Sequence, residues 1–202
     1  MPSLFIARHG NTFDAGETVT RVGRRTDLSL SQSGVAQAER LGAYFRDNEI
    51  NFTQAFAAPL KRTHQTAAAI VAQSAAPLEI QLDPTLLEID YGPDENQPEA
   101  LVIARIGEGA LRRWNEDAIA PPDWEVDPPA IIDGWRALIA RVRKLGPDDA
   151  VLAVTSNGIA RFALDAADAS TARFPRKLRT GAHGRIDIND HQAVITGWDL
   201  RP

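Results

Sequence analysis

Three short segments carry the residue types that phosphoryl transfer needs. The first, Arg8-His9-Gly10, directly follows an apolar run, Leu4 to Ala7, that reads as a strand. A strand end of this kind lies at the carboxyl edge of an open α/β sheet, where such folds place their ligands. There a neutral imidazole nitrogen is a nucleophile, and a guanidinium fork matches the oxygens of a phosphate. Alone, the tripeptide is better read as a polar strand end with a satisfied histidine. The second segment, Ala58 to Thr66, lies between a strand and a helix and puts Arg62 near a helix amino terminus on the same edge. The third, Leu87 to Gly92, follows another strand and offers Glu88 as a carboxyl group to protonate a leaving oxygen and then activate water.

The elements that must position these residues follow from alternating β-rich and alanine-bearing stretches, the pattern of a mostly parallel sheet covered by helices. Leu4 to Ala7, Phe52 to Ala57, Glu79 to Leu82 and Val151 to Thr155 read as strands, the third at an edge. A helix capped by Ser31 or Ser33 carries Val35, Ala38, Leu41, Gly42 and Phe45 on one face. Further helices are predicted over Arg62 to Ala76, Ile131 to Leu145 and Gly158 to Ala167, and a helical piece around Leu101 to Trp114. Gly184 to Trp198 reads as two strands joined by the turn pair Asn189-Asp190. From about 91 to 129 the periodicity weakens and tryptophans and paired prolines appear, so this stretch is expected to be an insertion or lid within one domain spanning residues 1–202.

Composition narrows the chemistry. The 202 residues, 44% hydrophobic and 24% charged, suit one domain with a sizeable core. A net charge of -5 argues against nucleic-acid or anionic-membrane binding, since both need a surplus of positive charge, so any anion site must be local. With no cysteine, disulfides, thiolate metal sites and cysteine nucleophiles are excluded. The amino terminus lacks the length of apolar sequence that a signal or membrane span requires, and the expectation is a cytoplasmic protein.

The order and spacing of the three segments resemble the histidine phosphatase superfamily, also called phosphoglycerate mutase-like, over nearly the whole chain. Arg8-His9-Gly10-Asn11-Thr12 resembles the family's Arg-His-Gly-x-Thr, and Arg25 to Leu30 with Gly34 and Gln37-Ala38 resembles its following loop and helix. Leu60, Arg62, Thr66 and Ala67 resemble the second arginine motif, and Glu88 to Gly92 the acid motif. The resemblance implies a three-layer α/β fold with helices on both faces of the sheet and one antiparallel strand. It implies phosphoryl transfer through a phosphohistidine at His9 without metal or other cofactor, Arg8 and Arg62 binding the phosphate and Glu88 donating the proton. The partner implied is a small phosphorylated substrate.

The chain departs from the pattern at the family's second histidine, where Val154-Thr155-Ser156-Asn157-Gly158 puts Ser156 in the histidine's place. Loss of one preorganised donor costs about 10²–10³ in rate, although Ser156, Asn157 and Asn11 remain candidates to bind phosphate. His183, which opens a strand expected beside the first, is either a partial replacement that approaches His9 or a surface histidine beside a glycine. His64 reads as structural or rim-lining and His191 as solvated. Arg21, Arg24, Arg25, Arg112 and Arg113 are possible contacts to a second anion, with a solvated charged face the better reading. Ala58 stands where a serine is common, and the loop from Phe13 to Thr20 lacks the usual Trp-Asn pair. A phosphatase is thus the leading reading, a catalytically weak phosphate-binding or regulatory protein the alternative, and a mutase less favoured. A nucleotide-dependent enzyme would need a glycine-rich fingerprint that is missing after the first strand.

Overall fold

The computed structural model describes residues 1–168 and 174–202. Six strands form one sheet in the order β3-β2-β4-β1-β5-β6. They are β1 (Ser3–Arg8), β2 (Phe52–Ala57), β3 (Ile80–Leu82), β4 (Ala150–Thr155), β5 (His183–Ile188) and β6 (Ala193–Leu200). The first four are mutually parallel, whereas β5 runs against both β1 and β6. The helices are α1 (Gln32–Asp47), α2 (Lys61–Val71), α3 (Glu99–Ile106), α4 (Glu108–Asp117), α5 (Pro128–Val142), α6 (Asn157–Ala160) and α7 (Ala163–Ala166).

Strand alternation divides the core between two layers. In β1, Phe5 and Ala7 join Leu41 and Phe45 of α1 and Ala67 and Ile70 of α2 on one face. Leu4 and Ile6 join Trp135, Leu138 and Ile139 of α5 on the other, together with Trp114 and Trp124. The weakly patterned stretch is therefore anchored: it adds two large indoles to the second core.

Several helix boundaries differ from those expected. Ser31 rather than Ser33 caps α1, its side chain accepting from the Gly34 amide. The second helix stops at Val71 instead of Ala76: Val71 is its last residue packed on the core, and beyond it the chain tightens into bonds such as Gln73 N–H to the Ile70 carbonyl. The helical piece from 101 to 114 is two helices that break at Gly107, whose φ of 79° only glycine adopts readily. Gly158 to Ala167 likewise divides into α6 and α7. The closing hairpin turns where expected, with Asn189 Oδ1 accepting from the amides of His191 and Gln192.

Candidate active site

The parallel register aligns Arg8 with Thr155, so the residues after β1 and β4 emerge side by side at the carboxyl edge of the sheet. The His9 amide continues that ladder by donating to the Thr155 carbonyl. Tight backbone packing fixes the loop from above. A Cβ on Gly34 would lie 2.0 Å from the Asn11 carbonyl oxygen, so only glycine lets α1 sit directly on the segment that bears His9.

The His9 ring has one defined tautomer. Its Nδ1 lies 2.7 Å from the Gly10 carbonyl oxygen, which can only accept, so Nδ1 carries the proton. The lone pair is then on Nε2, and His9 lines a cleft of about 640 Å³. Burial, then the charges of Arg62 and Arg8, hold its pKa well below the ordinary imidazole value, against a smaller opposing effect of the Gly10 bond. A neutral, oriented imidazole in a cationic surround is what nucleophilic attack on phosphorus requires.

Arg8 lines the same cleft, with its Nη1 on the Leu178 carbonyl and its Nε buried without a partner. Arg62 is 0% exposed and is not among the cleft-lining residues. Its two Nη atoms donate to the carbonyls of Thr26 and Gly23, and its Nε is likewise unpaired. Glu95 clamps that loop from the other side, accepting from the amides of Gly23 and Arg25 and the Thr26 hydroxyl. Burial draws both guanidinium groups below their usual range, with Glu88 pulling each the other way.

Glu88 is buried and faces the cleft, where it accepts from the amides of Ile89 and Gly158 and, at 3.5 Å, from the Tyr91 hydroxyl. Burial and the Glu88 charge raise the Tyr91 pKa, which keeps that phenol a donor. Ser156 is 0% exposed, with its Oγ unpartnered beside the end of β4. Asn157 and Asn11 line the cleft, yet both amides are engaged: Asn157 Oδ1 takes the Leu178 amide, and Asn11 bonds Ser33 and Thr180. The amide of Gly158, in the first turn of α6, is committed to Glu88.

His183 does not stand beside His9. It pairs with Ala7 in β5, so alternation turns its ring into the α1 layer, 5.0 Å from the Phe45 centroid and 5.2 Å from that of Tyr44. It is not among the cleft-lining residues. His64 is exposed on α2, and His191 is exposed in the hairpin turn. Of the five arginines weighed for a second anion, Arg21 lines the cleft and pairs with Glu99, while Arg25 pairs with Asp90 outside it.

Sequence reasoning missed Arg161, which is 1% exposed, lines the cleft and stacks 4.0 Å above the Trp114 ring. Its only signal is spacing, since it lies one helical turn after Asn157, whose carbonyl its Nε contacts. Lys177, Arg179 and Arg201 were missed too, because they reach the cleft from the far end of the chain. Among the described residues no group of three or more His, Asp or Glu is placed to hold a metal ion, and no helix is long and apolar enough to cross a membrane.

Residues 4–200 match the histidine phosphatase superfamily (branch 1). The chain belongs to that family. It is 33% identical over 98 residues to the fructose-2,6-bisphosphatase TIGAR of Mus musculus, covering 48% of this chain and 35% of the mouse protein. It is 28% identical over 123 residues to a 2,3-bisphosphoglycerate-dependent phosphoglycerate mutase of Rhizobium etli, covering 60% and 58% of the two chains. The matches to TIGAR proteins span only about a third of those proteins' length. Among solved structures, mycobacterial glucosyl-3-phosphoglycerate phosphatase superposes with a TM-score of 0.79 at 19% identity over 98% of each chain. The alpha-ribazole phosphatase of Shigella flexneri gives 0.72 at 18% identity over 98% and 96%. At such identities these two neighbours share the fold.

Proposed function

We propose that the protein hydrolyses a small phosphomonoester through a phosphohistidine at His9. The observation that carries this reading is the fixed tautomer of a neutral His9 that lines a cleft walled by arginine. In the proposed cycle Nε2 attacks phosphorus as the bond to the leaving oxygen breaks, and Glu88 gives that oxygen a proton. Water then attacks the phosphohistidine, Glu88 takes its proton, the P–N bond breaks and phosphate departs. Arg8 and Arg62 supply positive charge to the phosphoryl oxygens, and Ser156 occupies the place of a second histidine with a weaker, neutral donor. The stretch from 91 to 129 serves as a lid, in keeping with Leu111, Trp114 and Asn115 on the cleft wall. Relatives that act on sugar or glycerate phosphates support the substrate class.

A second reading, a phosphate-binding protein with feeble turnover, is favoured by one observation: the Ser156 hydroxyl is buried and bonded to nothing. Incubation with p-nitrophenyl phosphate separates the two. Under the first, p-nitrophenol appears and His9→Ala abolishes it, with acid-labile phosphate trapped on the wild type alone. Phosphate binding with no turnover and no labelled His9 would establish the second.

A further inference from the structure

The cleft holds more positive charge than one phosphoryl group uses. Its wall includes Arg8, Arg21, Arg161, Lys177, Arg179 and Arg201, against the carboxylates of Glu88 and Glu99. Two of these cations are already compensated, Arg21 by Glu99 and Arg179 by Asp199. Arg161 has no ion pair: its bonds go to the neutral carbonyls of Trp114 and Asn157, burial lowers its pKa to about 10, and the opposing charge of Glu88 is shared with Arg8 and Arg62. Lys177 and Arg201 are exposed on the rim, with no hydrogen bond or ion pair of their own among the described residues. A buried cation with only a shared counter-ion is costly, and the cost is relieved when an anion arrives to share its field.

We infer that the substrate carries a second anionic group, held by Lys177 and Arg201 at the rim with Arg161 behind them. The inference rests on the phosphatase reading and adds its substrate class: a phosphomonoester whose leaving group bears a carboxylate or a further phosphate. The cleft volume leaves room for a leaving group between the two anions. Val19, Val22, Leu111 and Trp114 also line it, so that spacer meets apolar surface as well as charge.

The test compares esters that differ by one charge at two spacings. Short-spaced 3-phosphoglycerate is set against glycerol 3-phosphate, and long-spaced 4-carboxyphenyl phosphate against 4-(hydroxymethyl)phenyl phosphate. In the wild type the carboxylate ester is expected to have at least tenfold higher kcat/KM in one pair, residing mainly in KM. The double variant Lys177→Ala/Arg201→Ala should cut that ratio at least tenfold. Arg46→Ala/Arg136→Ala, two surface arginines paired with Asp47 and Asp133, serves as the charge-matched control and should not move it. A wild-type ratio near one in both pairs, or a ratio the double variant leaves in place, would overturn the inference. Loss of all p-nitrophenyl phosphate turnover in the wild type would instead sink the phosphatase reading on which it stands.

Discussion

At the scale of single residues, the site is shaped by side chains whose hydrogen bonds stop short of completion. Arg8 Nε, Arg62 Nε and Ser156 Oγ are all buried without partners. An unpaired buried hydroxyl costs about 1–3 kcal/mol, so Ser156→Ala should leave the melting temperature unchanged or raise it. If the hydroxyl serves the phosphoryl group, turnover of p-nitrophenyl phosphate falls about tenfold or more in the same variant. Unchanged turnover would remove Ser156 from the chemistry. His183 makes a different prediction. Burial among Phe5, Tyr44 and Phe45 lowers its pKa to about 4, so between pH 6.5 and 4 the unfolded chain binds a proton the folded one refuses. Stability therefore falls as pH drops through that window, by on the order of 3 kcal/mol for this residue, and His9 acts in the same direction. His183→Phe should fit the aromatic pocket and flatten the loss, which melting curves at pH 7 and pH 4.5 would show. An equally steep loss in the variant would assign the acid sensitivity elsewhere.

The elements hold these residues by means the sequence reveals unevenly. Strand ends were legible because continuous apolar runs such as Leu4 to Ala7 mark strands buried on both faces, and the residues that follow them, Arg8, His9 and Glu88, line one cleft. Helix breaks were less so. A φ of 79° at Gly107 or the division between α6 and α7 depends on which face finds a core, a tertiary choice that local propensity does not record. Alternation along β5 would have placed His183 away from His9, since a partner of Ala7 must share its face. Arg161 was missed because its neighbours Trp114 and Asn157 are brought to it only by folding. The Arg62 loop illustrates what such contacts do: residues 23–26 are gripped by Arg62 on one side and Glu95 on the other. Glu95→Ala deletes four accepted bonds, three from that loop and one from the Tyr91 amide, and should cost about 2 kcal/mol. Because it also frees the loop that orients Arg62, kcat/KM should fall by more than the loss of folded protein explains; equal losses would make Glu95 a stabilising residue only.

Over the whole molecule two charge distributions compete for an incoming dianion. The chain carries a net -5, which repels it at long range, while the cleft gathers Arg8, Arg161, Lys177 and Arg201 and attracts it at short range. Ionic strength separates the two effects, because the Debye length shrinks from about 30 Å at 0.01 M to about 8 Å at 0.15 M. If the net charge governed encounter, added salt would screen repulsion and raise kcat/KM. The local cations lie closer to the reacting phosphate than the dispersed acids do, and field lines concentrate in a low-dielectric cleft. The expected outcome is therefore a fall in kcat/KM for p-nitrophenyl phosphate, about threefold or more across that range at constant pH, read from initial rates. A rise with salt would show that the cleft does not dominate the field its substrate meets. The arginines would then act only after contact, by orienting a phosphate that reached them against the overall charge.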